Sequence, residues 1–77
     1  MGTLQNIDPD KFRRYLKSKG LKCVRTKGGH EMWDGENISR TIVFQTHISP
    51  VPEFIISKAL KTLGANRKDI EDFMRRK

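Results

Sequence analysis

His30 stands directly after Gly28 and Gly29 and just beyond a run of cations that closes with Arg25 and Lys27. An imidazole ordinarily titrates at about 6.5, so it can take a proton from a ribose 2′-hydroxyl or give one to a leaving 5′-oxygen. Two glycines ahead of it allow the backbone to approach a ligand closely or to turn N–H groups toward an anion. With Lys22, Arg25 and Lys27 to stabilise phosphate charge, this is the equipment for cleaving an RNA phosphodiester without a metal. The plainer alternative is a histidine that only opens a strand after a Gly-Gly turn. His47 is open in the same way, as a second titrating group or as a hydrogen-bonding residue at the start of the next helix. Tyr15 and Trp33 have rings suited to stacking on bases. Helical spacing assigns Tyr15 to an apolar core face, whereas Trp33 fits either role. Cys23 has no nearby histidine in sequence and is expected as a small buried hydrophobe.

Other chemistries lack their residues. The chain carries no phosphate-binding glycine loop and no paired cysteines, and two separated histidines with one cysteine do not compose a zinc site. No cofactor is expected.

The elements that must position His30 follow from punctuation and periodicity. Asp8 as N-cap and Pro9 at the first helical position open a helix over 9–19, with Ile7 and Phe12 at hydrophobic-staple positions. Phe12, Tyr15 and Leu16 form its apolar face, and Gly20 stops it. Residues 21–27 favour a strand that ends at Gly28-Gly29, and a second strand covers 30–34 up to a hairpin-type turn at Asp34-Gly35, which leads back through Glu36 and Asn37. The spacing predicts a third strand over 38–47, with Ile42 and Phe44 on one face and Thr41, Val43 and Gln45 on the other. Ser49-Pro50-Val51-Pro52 starts a helix with Ile56, Leu60 and Leu63 as its inner stripe, widened by Phe54, Ile55 and Ala59 and ended by Gly64. Asn66 with Asp69 opens a last helix carrying Ile70, Phe73 and Met74. The expected fold class is α+β: one small domain over residues 1–77, in which a helix precedes a three-stranded antiparallel sheet and one or two C-terminal helices, all packed on one face.

At 77 residues the chain has room for a single core and for a shallow site only. No apolar stretch is long enough to span a membrane, and the first six residues lack the pattern of a secretion signal. With a lone cysteine, this points to a soluble protein of a reducing cytoplasm. The net charge of +7 is uneven: residues 1–27 carry +6 and residues 28–77 only +1. Clustered cations gain from displacing counterions on a polyanion, so nucleic acid is the first candidate partner. An acidic protein docked through Arg13, Lys17 and Lys22 is an alternative, and a merely solvated helix face is another.

The chain resembles the HicA toxins of bacterial toxin-antitoxin systems. The residues that carry this are the helix end Lys19-Gly20-Leu21, the strand Cys23-Val24-Arg25, the run Lys27-Gly28-Gly29-His30, and a strand closing on His47 before a helix with Ile56, Leu60 and Gly64. The likeness covers most of the chain and rests on the order and spacing of short motifs. It implies a double-stranded-RNA-binding-domain-like fold, an mRNA-cleaving ribonuclease activity and a HicB-like antitoxin partner. It also implies a catalytic role for His30 and places that family's second histidine at His47. Gly29 stands where the family has serine, and Gln45-Thr46-His47 lacks the family's proline. The expected RNA-binding set is therefore Lys22, Arg25, Lys27, Gly28 and Gly29. A noncatalytic RNA-binding module of the same fold is the alternative.

Overall fold

A computed structural model describes residues 7–36 and 38–76, so the expectations for residues 1–6 and for Asn37 lie outside the described residues. The order is α1 (Pro9–Ser18), β1 (Lys22–Lys27), β2 (His30–Asp34), β3 (Ile42–Gln45), α2 (Glu53–Leu63) and α3 (Arg67–Arg76). The three strands form one antiparallel sheet in the order β1-β2-β3, and the helices gather on the side that carries Trp33 and Phe44. The α+β arrangement expected from the periodicities is the one observed, with two C-terminal helices.

The local signals act as anticipated at several ends. Asp8 Oδ1 accepts from the Lys11 N–H at 2.8 Å, which satisfies one of the first-turn donors of α1. Gly64 takes a left-handed conformation, φ 70°, to close α2. Asn66 Oδ1 accepts from the Asp69 N–H at 3.0 Å at the head of α3.

The core forms where α1 meets the underside of β2 and β3. Phe12 and Phe44 meet edge to face with centroids 5.0 Å apart, and Tyr15 meets Phe73 of α3 in the same way at 5.4 Å. Trp33, Ile42, Val51, Ile56, Leu60 and Ile70 are buried with them, as are Ile7, Leu16, Leu21 and Ala59. Trp33 thereby resolves as a core residue, not a stacking platform.

Four expectations need correction. The third strand is only Ile42–Gln45, because its pairing with β2 runs from Gln45 opposite His30, the first residue of β2, to Ile42 opposite Trp33. Beyond Trp33 the chain turns away at Gly35, which packs so closely on Leu21 that a Cβ there would lie 3.2 Å from the Leu21 Cγ. The connection between β2 and β3 is consequently a seven-residue link over 35–41, not a tight hairpin, and Gly35 is not among the positive-φ glycines. Cys23 is exposed. The whole of β1 is exposed, because it is an edge strand on which no helix packs closely and β2 is its one close neighbour. Phe54 is 66% exposed, since it lies two positions before Ile56 and is so rotated by about 200° from the buried stripe.

Candidate functional site

Side chains alternate across a strand, so pairing register decides which of them share a face. In β2, Glu31 and Trp33 are buried, which leaves His30, Met32 and Asp34 on the outer side of the sheet. In β3 the buried residues are Ile42 and Phe44, so Val43 and Gln45 look outward as well, and Gln45 pairs with His30.

Plain alternation along β1 would put Lys22 on the opposite face from Arg25 and Lys27. The register instead slips between Cys23 and Arg25, with Lys22 opposite Asp34, Cys23 opposite Trp33, Arg25 opposite Met32 and Lys27 opposite His30. Val24 is the extra residue of a β-bulge. Its effect is to bring Lys22, Arg25 and Lys27 onto one face, the face of His30. All three cations are exposed, and among the described residues none of them takes part in an ion pair.

The turn that delivers His30 has φ 58° at Gly28 and 81° at Gly29, the left-handed pair that a two-residue hairpin turn requires and that glycine supplies without strain. A Cβ on Gly28 would meet open space, whereas one on Gly29 would lie 3.5 Å from the His47 Cδ2. His47 therefore rests against Gly29, one residue from His30, and the two histidines flank one glycine. His30 is half-buried, and Gln45 Nε2 lies 3.5 Å from its Nε2. An amide nitrogen only donates, so this long contact is a hydrogen bond only in the tautomer whose Nε2 carries no proton. A general base needs an unprotonated ring nitrogen turned toward the hydroxyl, and Gln45 must give way where Nε2 is to serve.

Beneath this surface lies a residue that sequence reasoning missed. Glu31 is 6% exposed and its carboxylate is fully engaged. Arg13 Nε donates to both oxygens at 3.0 Å, a terminal Arg13 nitrogen makes a closer pair with Oε2, and Trp33 Nε1 and Thr46 Oγ1 each donate at 3.0 Å. The Arg13 hydrogen bonds hold Glu31 below its ordinary carboxylate range against the opposing effect of burial, with Trp33 and Thr46 adding to the lowering. The Thr46 N–H in turn donates to the Gly29 carbonyl at 2.7 Å. A continuous path of bonds thus runs from α1 through Glu31 and Thr46 to the glycine turn, with His47 next in chain. The signal for it was an acid sharing the inward phase of β2 with Trp33, which obliges a cationic partner from the helix below.

Two further site expectations change. The +6 of residues 1–27 is not one surface: Lys11, Arg14 and Lys17 stand on the solvent side of α1, whose Phe12, Tyr15 and Leu16 face the core, while the β1 cations occupy the far side of the sheet. Arg13 is not available to an acidic partner, because it is bound to Glu31 and, at 2.6 Å, to Asp10. Among the described residues, no three His, Cys, Asp or Glu side chains gather as a metal would need, and no helix is long and apolar enough to cross a membrane. No family model, no curated protein and no solved structure matches the chain.

Proposed function

We propose that this chain is an endoribonuclease that cleaves mRNA without a divalent metal, acting in the cytoplasm as the toxin of a toxin-antitoxin pair. The observation that carries this reading is the shared outer face of His30 and the bulge-aligned Lys22, Arg25 and Lys27. Phosphates settle on the three cations. The His30 imidazole accepts the 2′-hydroxyl proton as that oxygen attacks the adjacent phosphorus, the 5′-oxygen leaves with a proton, and a 2′,3′-cyclic phosphate remains. His47, on the other side of Gly29, is the auxiliary candidate for protonating the leaving oxygen. The resemblance to HicA toxins supports the assignment and supplies the expected inhibitor, a HicB-like antitoxin.

Induced expression in bacteria tests it. The parent chain should arrest growth and degrade transcripts, and His30→Ala should do neither. Equal arrest by both would remove His30 from the chemistry. One observation favours a second reading, a noncatalytic RNA-binding module: among the described residues His30 has no carboxylate to orient its ring, only Gln45. RNA that stays intact under prolonged incubation while still bound would select that reading.

A further inference from the structure

The outer face of His30 continues into a groove between β3 and α2 whose character changes along its length. At the His30 end a cleft of about 260 Å³ is lined by Val43, Gln45, Pro52 and the exposed ring of Phe54. Val43 and Ile55 are shared with a middle cleft, which also reaches Arg40 and Lys58. Arg40, Lys58 and Thr62 are in turn shared with a final, wider cleft of about 510 Å³ that adds Ser39 and Lys61. No acidic residue lines any of the three, and among the described residues Arg40, Lys58 and Lys61 form no ion pair. These cations come from the half of the sequence whose net charge is only +1, so only the fold reveals the patch.

We propose that this groove is a binding track for single-stranded RNA, with an unpaired base on Phe54 beside His30 and the onward phosphates on Arg40, Lys58 and Lys61. The proposal rests on the RNA reading above and names the path of the strand. Aromatic faces stack on any base, and an acid-free row of Lys and Arg attracts a phosphate backbone, the pairing that single-strand tracks use. A duplex would need shape complementarity across successive grooves and no exposed ring. The track gives the His30 end an apolar subsite and the far end an electrostatic one, so the two ends should respond differently to salt.

Titration of the intact chain with a single-stranded 2′-O-methyl oligonucleotide, which cannot be cleaved, tests this across a salt series. Lys58→Ala with Lys61→Ala should weaken binding about tenfold at low salt and reduce the slope of log K against log salt by about 1.4. Phe54→Ala should weaken binding by about tenfold with the slope unchanged, and Phe54→Trp should restore it. Lys11→Ala with Lys68→Ala removes the same charge elsewhere and should leave binding near parental. The proposal is overturned if the control pair loses as much as the groove pair, if the groove variants bind like the parent, or if polyglutamate competes as well as RNA. A parent that binds no strand at all overturns both this and the RNA reading. If instead His30→Ala cleaves normal RNA like the parent while the groove variants bind weakly, the track stands and the catalytic reading alone falls.

Discussion

The Arg13 guanidinium and the Glu31 carboxylate meet beneath the sheet, Nε lying 3.0 Å from each carboxylate oxygen. This pair fastens α1 to β2 directly under the glycine turn. Arg13 holds Glu31 below the ordinary glutamate value of 4.5, so the native state releases this proton more readily than the unfolded chain. The stabilisation is therefore complete above that value and is lost as pH falls through the lower native one. Denaturant unfolding across acid pH should show this loss. Glu31→Gln should flatten it and cost about 2 kcal/mol at neutral pH, because Arg13 is left without its charge partner.

Tyr15 titrates in the opposite sense. Burial, and then its hydrogen bond to Asp69 Oδ2 at 2.5 Å, raise its hydroxyl well above the ordinary 10.0. A raised acid contributes stability that is whole below pH 10.0 and declines as pH rises toward the native value. Tyr15 is the single tyrosine, so phenolate absorbance reports on it alone. In an alkaline titration that absorbance should appear together with loss of near-ultraviolet circular dichroism, not before it.

Gly29 is under two constraints, a φ of 81° and the His47 ring against its open side. Gly29→Ala should cost about 1 to 2 kcal/mol through left-handed strain, seen as a lower denaturation midpoint. It should also move the His47 ring resonances by nuclear magnetic resonance. An unmoved His47 would detach that residue from the turn.

The β1 bulge makes a prediction about a deletion. Val24 is 53% exposed and is the one strand residue that faces no partner. Removing it restores plain alternation while keeping Lys22, Arg25 and Lys27 on the outer face. RNA affinity should stay within about threefold of the parent, and a loss of about tenfold or more on deleting Val24 would separate the alignment of the three cations from RNA binding.

Much of the frame was legible because it follows from local chemistry. Asp8 and Pro9 open α1, Gly28-Gly29 makes a two-residue turn, and the Ile42 and Phe44 alternation marks the inward side of β3, all without reference to the rest of the molecule. What was not legible depends on non-local pairing. A bulge is defined by the partner strand, so nothing within residues 22–27 announced that Lys22 would join Arg25. Cys23 and Phe54 had the chemistry of core residues but stand where no second layer covers them. Glu31 looked like a surface charge until Arg13, eighteen positions earlier, came beneath it. The basic end of the groove was hidden for the same reason, its cations being mixed with acids in sequence and separated from them only by folding.

The central claim is that His30 transfers the proton. Purified parent chain and His30→Ala should be compared on one RNA in the presence of EDTA, with binding and cleavage measured separately. The account predicts that the parent leaves 2′,3′-cyclic phosphate ends, and that His30→Ala retains affinity within about twofold yet loses at least about 100-fold in cleavage rate. Cleavage by His30→Ala at the parental rate, or parental cleavage abolished by EDTA, would contradict it.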